Sequence, residues 1–351
     1  MSRRVKPSPA PSSPRVTVVI PCFNYGHFLP QAVASALDQP GVEVDVIIVD
    51  DCSTDGSQNV AVALSQLDRR VHTVLHEVNQ GHITTYNDGL AQARGDYVVL
   101  LSADDVLSPG SLRRSTNLME AEPSVGLVYG YAPAFETVPP TMGRRRETWT
   151  VWDGLEWIER MCRRGHNLIV NPEAVLRTTV MAELVGYRED MPQAADMELW
   201  IRAAAMSDVG RVNGPAQAYY RVHGNNMHRT GLSGVVRETT ARLEVFRSIA
   251  DLPTLPNHER RRLVQLAMSR LSREMYREAK RSWRRRDGHD PVVRQLMELA
   301  ADCDPTIRRA RGWAALEQRD DSEYGWADRV DETLYRLTWS LRWRRWRRFG
   351  I

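Results

Sequence analysis

Tyr97-Val98-Val99-Leu100-Leu101-Ser102-Ala103-Asp104-Asp105 is the stretch on which the reading of this chain turns. Its apolar, β-favouring opening predicts a short strand buried on both faces, as in a parallel sheet. Two carboxylates at the mouth of such a strand are costly to hold without a cation or a donor-rich ligand. Their oxygens suit a hard cation such as Mg²⁺ or Mn²⁺, which can bridge a carboxylate to diphosphate. An Asp pair also caps helices or stands solvated, so the neighbouring strand ends must decide.

Those neighbours agree. Val16-Thr17-Val18-Val19-Ile20 is a second apolar run, closed by Pro21 and followed by Cys22-Phe23-Asn24. Leu29, Ala32, Val33, Ala36 and Leu37 then recur at helical spacing. Val44–Val49 predicts a strand ending in Asp50-Asp51, and a helix follows the turn 53–57. A strand over 71–76 leads through Asn79-Gln80-Gly81 to a helix over 85–93, and Gly95-Asp96 turns into the strand of Asp104. Alternation of this kind predicts an α/β fold, a mostly parallel sheet flanked by helices. Ligands of such folds collect beyond the carboxyl ends of the strands, where four polar loops here converge. His72 and His76, on the predicted third strand, are expected to be solvated.

Residues 125–236 are more mixed, with a strand over 125–131, helices over 152–163 and 196–205, and a loop at Asn171-Pro172. From 237 the pattern is helical, broken at Pro253, Pro256, Gly288 and Pro305. The first fourteen residues, rich in Pro, Ser and Arg, read as a disordered leader. The expected organisation is therefore a leader over 1–14, an α/β domain over 15–236 and a helical, basic region over 237–351. In the α/β domain a donor half covers about 15–125 and an acceptor half about 126–236.

The formal charge of +3 hides an asymmetry, since 237–351 carries about +8. Cys22, Cys52, Cys162 and Cys303 form neither a CxxC pair nor a zinc spacing, which fits unlinked thiols in a reducing compartment. No apolar run approaches the roughly 20 residues that span a bilayer, and no signal-peptide core follows the N-terminus, so a cytoplasmic place is expected. The first strand lacks a G-x-G-x-x-G turn, and neither a P-loop nor a G-x-S-x-G elbow occurs, which disfavours dinucleotide, P-loop and serine-hydrolase chemistry. Nucleotide transfer, sugar transfer and phosphate-ester hydrolysis all remain open at this point.

The ordered motifs resemble those of family 2 glycosyltransferases with the GT-A fold. They are Val18-Val19-Ile20-Pro21-Cys22-Phe23-Asn24-Tyr25, Ile48-Val49-Asp50-Asp51-Cys52-Ser53, Asn79-Gln80-Gly81, Asn87, Gly95-Asp96-Tyr97 and Leu101–Asp105. Gly186-Tyr187-Arg188-Glu189-Asp190, Ala195–Arg202 and Tyr220-Arg221-Val222-His223-Gly224 continue the likeness, which covers about 15–230. The resemblance implies an inverting transferase that uses a nucleotide-activated sugar, with a UDP- or dTDP-sugar as donor. It places Pro21 and Phe23 against the base, Asp51 on the base's hydrogen-bonding edge, and Asn24, Asn79, Gly81, Asn87 and Ser102 around the donor. Asp104, with Asp105 and His223, would hold Mg²⁺ or Mn²⁺ on the diphosphate. Ser102 stands where the family often has the first Asp of Asp-x-Asp, so the cation leans on Asp104. Asp196 matches the catalytic base; the competing reading makes it an N-cap, and Glu189, Asp190 and Glu198 are rival carboxylates.

The implied setting is cell-envelope or surface polysaccharide synthesis, with a glycan, lipid-linked or other hydroxyl acceptor. Leu334–Ile351 interleaves Tyr335, Trp339, Trp343, Trp346 and Phe349 with arginines, a composition suited to a membrane interface. Peripheral contact with the inner face of the membrane and packing onto the rest of the chain are both open, and nucleic acid is the weaker partner. A turnover-deficient sugar-nucleotide or glycan-binding protein of the same fold, and more remotely a nucleotidyltransferase, are the competing functions.

Overall fold

The computed structural model describes residues 2–10, 13–143, 145–224, 232–285 and 291–318, together with Ser340, Leu341, Arg344 and Trp346. It divides into two compact units. The first runs to Ile158 and resumes at Asn167 until the end of its described segment; the second takes Glu159–His166 and the described residues from 232.

Among the described residues the first unit holds twelve strands: β1 (Arg3–Val5), β2 (Arg15–Cys22), β3 (Glu43–Asp50), β4 (Val71–Leu75), β5 (Tyr97–Leu100), β6 (Val106–Leu107), β7 (Val125–Tyr129), β8 (Ala134–Phe135), β9 (Thr148–Trp152), β10 (Val175–Arg177), β11 (Asp208–Asn213) and β12 (Ala218–Arg221). Its helices are α1 (Leu29–Leu37), α2 (Ser57–Leu67), α3 (His82–Ala91), α4 (Ser111–Ala121), α5 (Gly154–Arg164), whose end belongs to the second unit, α6 (Thr178–Leu184) and α7 (Ala195–Met206). Nine strands form one sheet in the order β1-β9-β11-β7-β10-β5-β2-β3-β4, and β6-β12-β8 form a small second sheet.

The donor half has the expected parallel architecture: β2 pairs in parallel with β3 and β5, and β3 with β4. Val16, Val18, Val19 and Ile20 are fully buried, as a strand covered on both faces requires. Thr17, a polar residue inside that strand, is satisfied: its hydroxyl donates to Asp45 and accepts the Gly95 N–H at 2.9 Å. Helix α3 packs on β2 and β3 through Gly89, where a Cβ would lie 2.3 Å from Val19 Cγ1.

Beyond β5 the sheet becomes mixed. β10 enters antiparallel between β5 and β7, β11 runs parallel to β7, and β9 runs antiparallel to β11. The sequence reading contained none of β1, β9, β10, β11 or β12. The expected disordered leader over 1–14 is corrected at its start, because β1 pairs antiparallel with β9 through Arg3–Val5. Arg3 also pairs with Glu122 at 2.5 Å, and the Ala10 N–H reaches Asn117 Oδ1 at 3.0 Å. Backbone pairing and charge hold this polar segment, and apolar periodicity registers neither.

The second unit is helical among the described residues: α8 (Leu232–Ser248), α9 (Asn257–Arg285), α10 (Pro291–Cys303) and α11 (Trp313–Gln318). Leu263, Ala267, Leu271, Met275 and Ala279 form one buried stripe along α9 at a spacing of four, and Val293, Leu296, Met297 and Ala300 give α10 its own. The Trp/Arg tail expectation lies mostly outside the described residues. Within it, Trp346 is buried with the Arg164 guanidinium 5.7 Å from its ring centroid, and Leu341 is exposed. No described helix is long and apolar enough to cross a membrane. All four cysteines are free.

Candidate active site

Each parallel strand of the donor half runs out into polar residues, and the loops beyond β2 and β3 lock onto one another. Asn24 and Cys52 take left-handed φ values of 58° and 59°. The Asn24 N–H donates to Ser53 Oγ at 2.9 Å, and Asn24 Oδ1 accepts the Thr54 N–H at 2.8 Å. Asn24, expected on the donor, therefore joins the two loops. Phe23 is 47% exposed beside them and Pro21 is half-buried, an apolar surface on which a base can stack.

Asp51 organises the third loop. Its Oδ1 accepts the Gln80 N–H at 2.7 Å, its Oδ2 accepts the Gly81 N–H at 2.9 Å, and its carbonyl takes the Asn79 side-chain amide at 3.1 Å. His76 Nδ1 lies 3.0 Å from Oδ1, and His76 Nε2 lies 3.1 Å from Asp88 Oδ2. His76 is thus buried between two carboxylates, which corrects the expectation of a solvated side chain. Burial pushes the Asp51 carboxyl up, but the Gln80 N–H, His76 and the Gly81 N–H outweigh it and leave it below the ordinary carboxylate value.

The opening acid pair divides. Asp104 Oδ2 lies 2.9 Å from His223 Nε2, delivered by the segment after β12, so two of the three expected metal ligands meet. Asp105 accepts the Arg221 N–H at 2.8 Å and is buried. Burial, and then the Asp104 charge, hold its carboxyl well above the ordinary value, which suits a neutral acid better than a ligand. Among the described residues no three His, Cys, Asp or Glu side chains form a metal-binding group. A hard oxygen of Asp104 and the imidazole of His223 are nevertheless donors that would suit a divalent cation. Ser102 closes the turn, its carbonyl accepting the Asp105 N–H at 3.0 Å.

Arg221 was quoted in the sequence but given no role. Its guanidinium lies between the Phe28 and Phe135 rings, at 4.7 and 4.4 Å, while Nε donates to the Asp104 carbonyl at 2.7 Å and Nη2 to Gln31 at 2.5 Å. It fixes the backbone of the acid pair. Tyr220 is raised to about 12 by burial and then by Asp105 and Asp104, and Tyr25 is raised by burial and by Asp104. Both phenols thus report the carboxylates of the strand edge.

Asp196 lies in the first turn of α7, whose N-cap is Ala194 without a side-chain cap, so the N-cap reading does not hold. Its Oδ1 accepts the Tyr187 hydroxyl at 3.0 Å. Tyr86, edge-on to Tyr187 at 5.3 Å, is raised by burial and then by the charges of Asp196 and Asp104, so one phenol feels both carboxylates. Two of the three rivals are engaged elsewhere: Glu198 accepts from Arg202 at 2.7 Å, and Asp190 pairs with Arg188 at 2.6 Å. Asn87, expected on the donor, bonds to the backbone of Tyr187. Sequence reasoning gave no role to Tyr86, the Tyr187 hydroxyl or His76; their polar aromatic character beside motif residues was the only signal.

Residues 17–182 match the family described as Glycosyl transferase family 2. A succinoglycan biosynthesis protein, ExoO of Rhizobium meliloti, is 36% identical over 108 residues, 31% of this chain and 30% of that one. Among solved structures, TarS 1-349 of S. aureus in complex with UDP-GlcNAc aligns with a TM-score of 0.59 at 17% identity, covering 92% of both chains. The mannosyltransferase PcManGT of Pyrobaculum calidifontis, in complex with GDP-Man and Mn²⁺, aligns at 0.56 and 17%, covering 91% of this chain and 82% of that one. Residues 17–182, the segment that carries the opening motifs and the polar strand ends, are therefore similar to glycosyltransferase family 2.

Proposed function

We propose that this chain is an inverting, metal-dependent glycosyltransferase that moves a sugar from a nucleoside-diphosphate donor to a hydroxyl acceptor, a glycan or a lipid-linked saccharide, in surface polysaccharide synthesis. The observation that supports the reading is that Tyr86 lies within electrostatic reach of both Asp196 and Asp104, the carboxylate that pairs with His223. A base and a diphosphate site on one edge are what a single displacement needs. Asp196 takes the proton of the acceptor hydroxyl as its oxygen bonds to the anomeric carbon. The bond from that carbon to the donor phosphate oxygen breaks on the opposite face, which inverts the configuration, and the nucleoside diphosphate leaves with the bonding pair. Asp104 and His223 would hold Mg²⁺ or Mn²⁺, which supplies positive charge to the departing diphosphate. Phe23 and Pro21 offer the base its stacking surface, and Asp51 shapes the adjoining loop.

UDP- and dTDP-sugars are the donors proposed first; the relatives bound to UDP-GlcNAc and to GDP-Man make both nucleotides the natural members of a screen. Release of free nucleoside diphosphate from these sugars, with Mn²⁺ and a membrane-glycan extract, tests the reading. Pyrophosphate release from NTP and sugar phosphate would replace it by nucleotidyl transfer. Donor binding without turnover across acceptors would leave a binding protein. A peripheral place on the inner face of the cell membrane through 334–351 would bring the site to lipid-linked acceptors. Equal vesicle co-sedimentation with and without those residues removes that part.

A further inference from the structure

Similarity placed Asn87 among the donor ligands, but its side-chain amide is committed elsewhere. Asn87 Oδ1 accepts the Tyr187 N–H at 2.7 Å, and Asn87 Nδ2 donates to the Tyr187 carbonyl at 2.9 Å. This two-point pairing of a side-chain amide with a peptide unit uses acceptor and donor together, so the amide has one orientation. It joins α3 to a segment one hundred residues away. The turn before Tyr187 is built for it. Gly186 has φ +80°, and a Cβ there would lie 2.4 Å from Asn87 Oδ1. Helix α7 grips the same turn, with Arg202 Nη1 on the Leu184 carbonyl at 2.7 Å and Nη2 on the Gly186 carbonyl at 2.8 Å.

What the clamp delivers is the Tyr187 ring. That ring is buried, rests edge-on against Tyr86, and ends in a hydroxyl that donates to Asp196 Oδ1 at 3.0 Å. A donor fixed at this oxygen sets the rotation of the carboxylate, and a base must be aligned with the hydroxyl it deprotonates. We propose that Asn87 and Tyr187 are positioning residues for Asp196, and that Asn87 makes no contact with the donor. The inference rests on Asp196 being the base.

Tyr187→Phe removes the hydroxyl and keeps the packed ring, and Asn87→Ala removes the clamp. UDP binding in Mn²⁺ is measured by calorimetry, and kcat and donor KM are measured as UDP release from the UDP-sugar that the donor screen turns over. Each variant is expected to lower kcat about 10- to 100-fold, the range that a misplacement of about 1 Å produces. UDP affinity and donor KM stay within about twofold, and the double variant costs no more than the larger single, because both act through one contact. A merely structural role would not separate kcat from nucleotide binding in folded protein. Weakened UDP binding with unchanged kcat in Asn87→Ala would make Asn87 a donor ligand and overturn the proposal. If Asn87→Ala does not fold, Tyr187→Phe decides alone: unchanged kcat there also overturns it. Asp196→Asn, measured alongside, separates the two readings. Full turnover in Asp196→Asn removes the base, whereas lost turnover there with parental kcat in the other variants removes only the positioning chain.

Discussion

Glu274 in the helical unit is largely shielded and Asp105 at the sheet edge is buried, yet their surroundings drive the two carboxyl groups in opposite directions. Glu274 Oε1 accepts from Arg242 Nη1 and Nη2, each at 3.0 Å, and lies 2.9 Å from His166 Nε2; Arg270 Nη1 stands 3.1 Å from Oε2. Burial pushes Glu274 up, but His166 and the two arginines bring it down to about 2. Asp105 has one backbone N–H and the Asp104 charge beside it, and it is held high. The guanidinium of Arg221 donates to the Asp104 carbonyl and to Gln31. The helical unit answers its shielded charge with its own cations. At the sheet edge burial and the like charge of Asp104 outweigh the Arg221 N–H and the Arg221 charge, so Asp105 is held high.

The largest expected effect lies at the edge. Asp196→Asn keeps the size and most of the polarity of the side chain but cannot take a proton. Its kcat is expected to fall about 10³- to 10⁴-fold, the upper part of what a positioned base contributes, with UDP binding in Mn²⁺ retained. A kcat within tenfold of the parent would remove Asp196 as the base and leave the contrast between the units without its catalytic half.

Next comes Glu274 itself. Glu274→Gln removes the carboxylate that faces Arg242, Arg270 and His166, and a loss of stability of about 3 kcal/mol is expected. The depressed carboxyl, held at about 2, points the same way. Because the folded value lies below the unfolded one, this stabilisation is complete above about pH 4.5 and is lost as pH falls from there towards 2. Denaturant unfolding at pH 7 and pH 3 tests it: the gap between parent and variant should narrow in acid. A constant gap would show that Glu274 holds no more than its packing.

The two regions were not equally legible in the sequence. β2, β3 and β5 could be read because a strand buried on both faces is a continuous apolar run, and their polar ends marked the site before any side chain was placed. β10 is three residues long, and its place between β5 and β7 depends on pairing across distant sequence, which no local pattern encodes. β1, Arg3-Arg4-Val5, reads as polar leader because its partner is backbone. In the site, Asp104 and Asp196 stood out as charged residues at strand and helix ends. Asn87 was expected on the donor and His76 in solvent, since their actual partners lie 100 and 25 residues away in sequence, respectively. Asp105 looked equivalent to Asp104 in sequence; only burial and the Arg221 N–H separate them.

That separation gives the smallest and most discriminating effect. Asp104→Ala removes the partner of His223 and is expected to weaken UDP binding in Mn²⁺ about 10- to 100-fold, as loss of a contact that supports a metal does. UDP binding without metal should change little. Asp105→Asn should leave both affinities where they were. The Asn carbonyl accepts the Arg221 N–H as the acid does, and its uncharged amide is no worse in a buried place than a carboxyl already held well above its ordinary value. Thermal unfolding should therefore move by less than the equivalent of about 0.5 kcal/mol. If Asp105→Asn instead loses Mn²⁺-dependent binding to the same extent as Asp104→Ala, both carboxylates hold the cation. The acid pair then acts as the sequence pattern first suggested, and the turn that buries Asp105 against Arg221 must open when the metal and diphosphate bind.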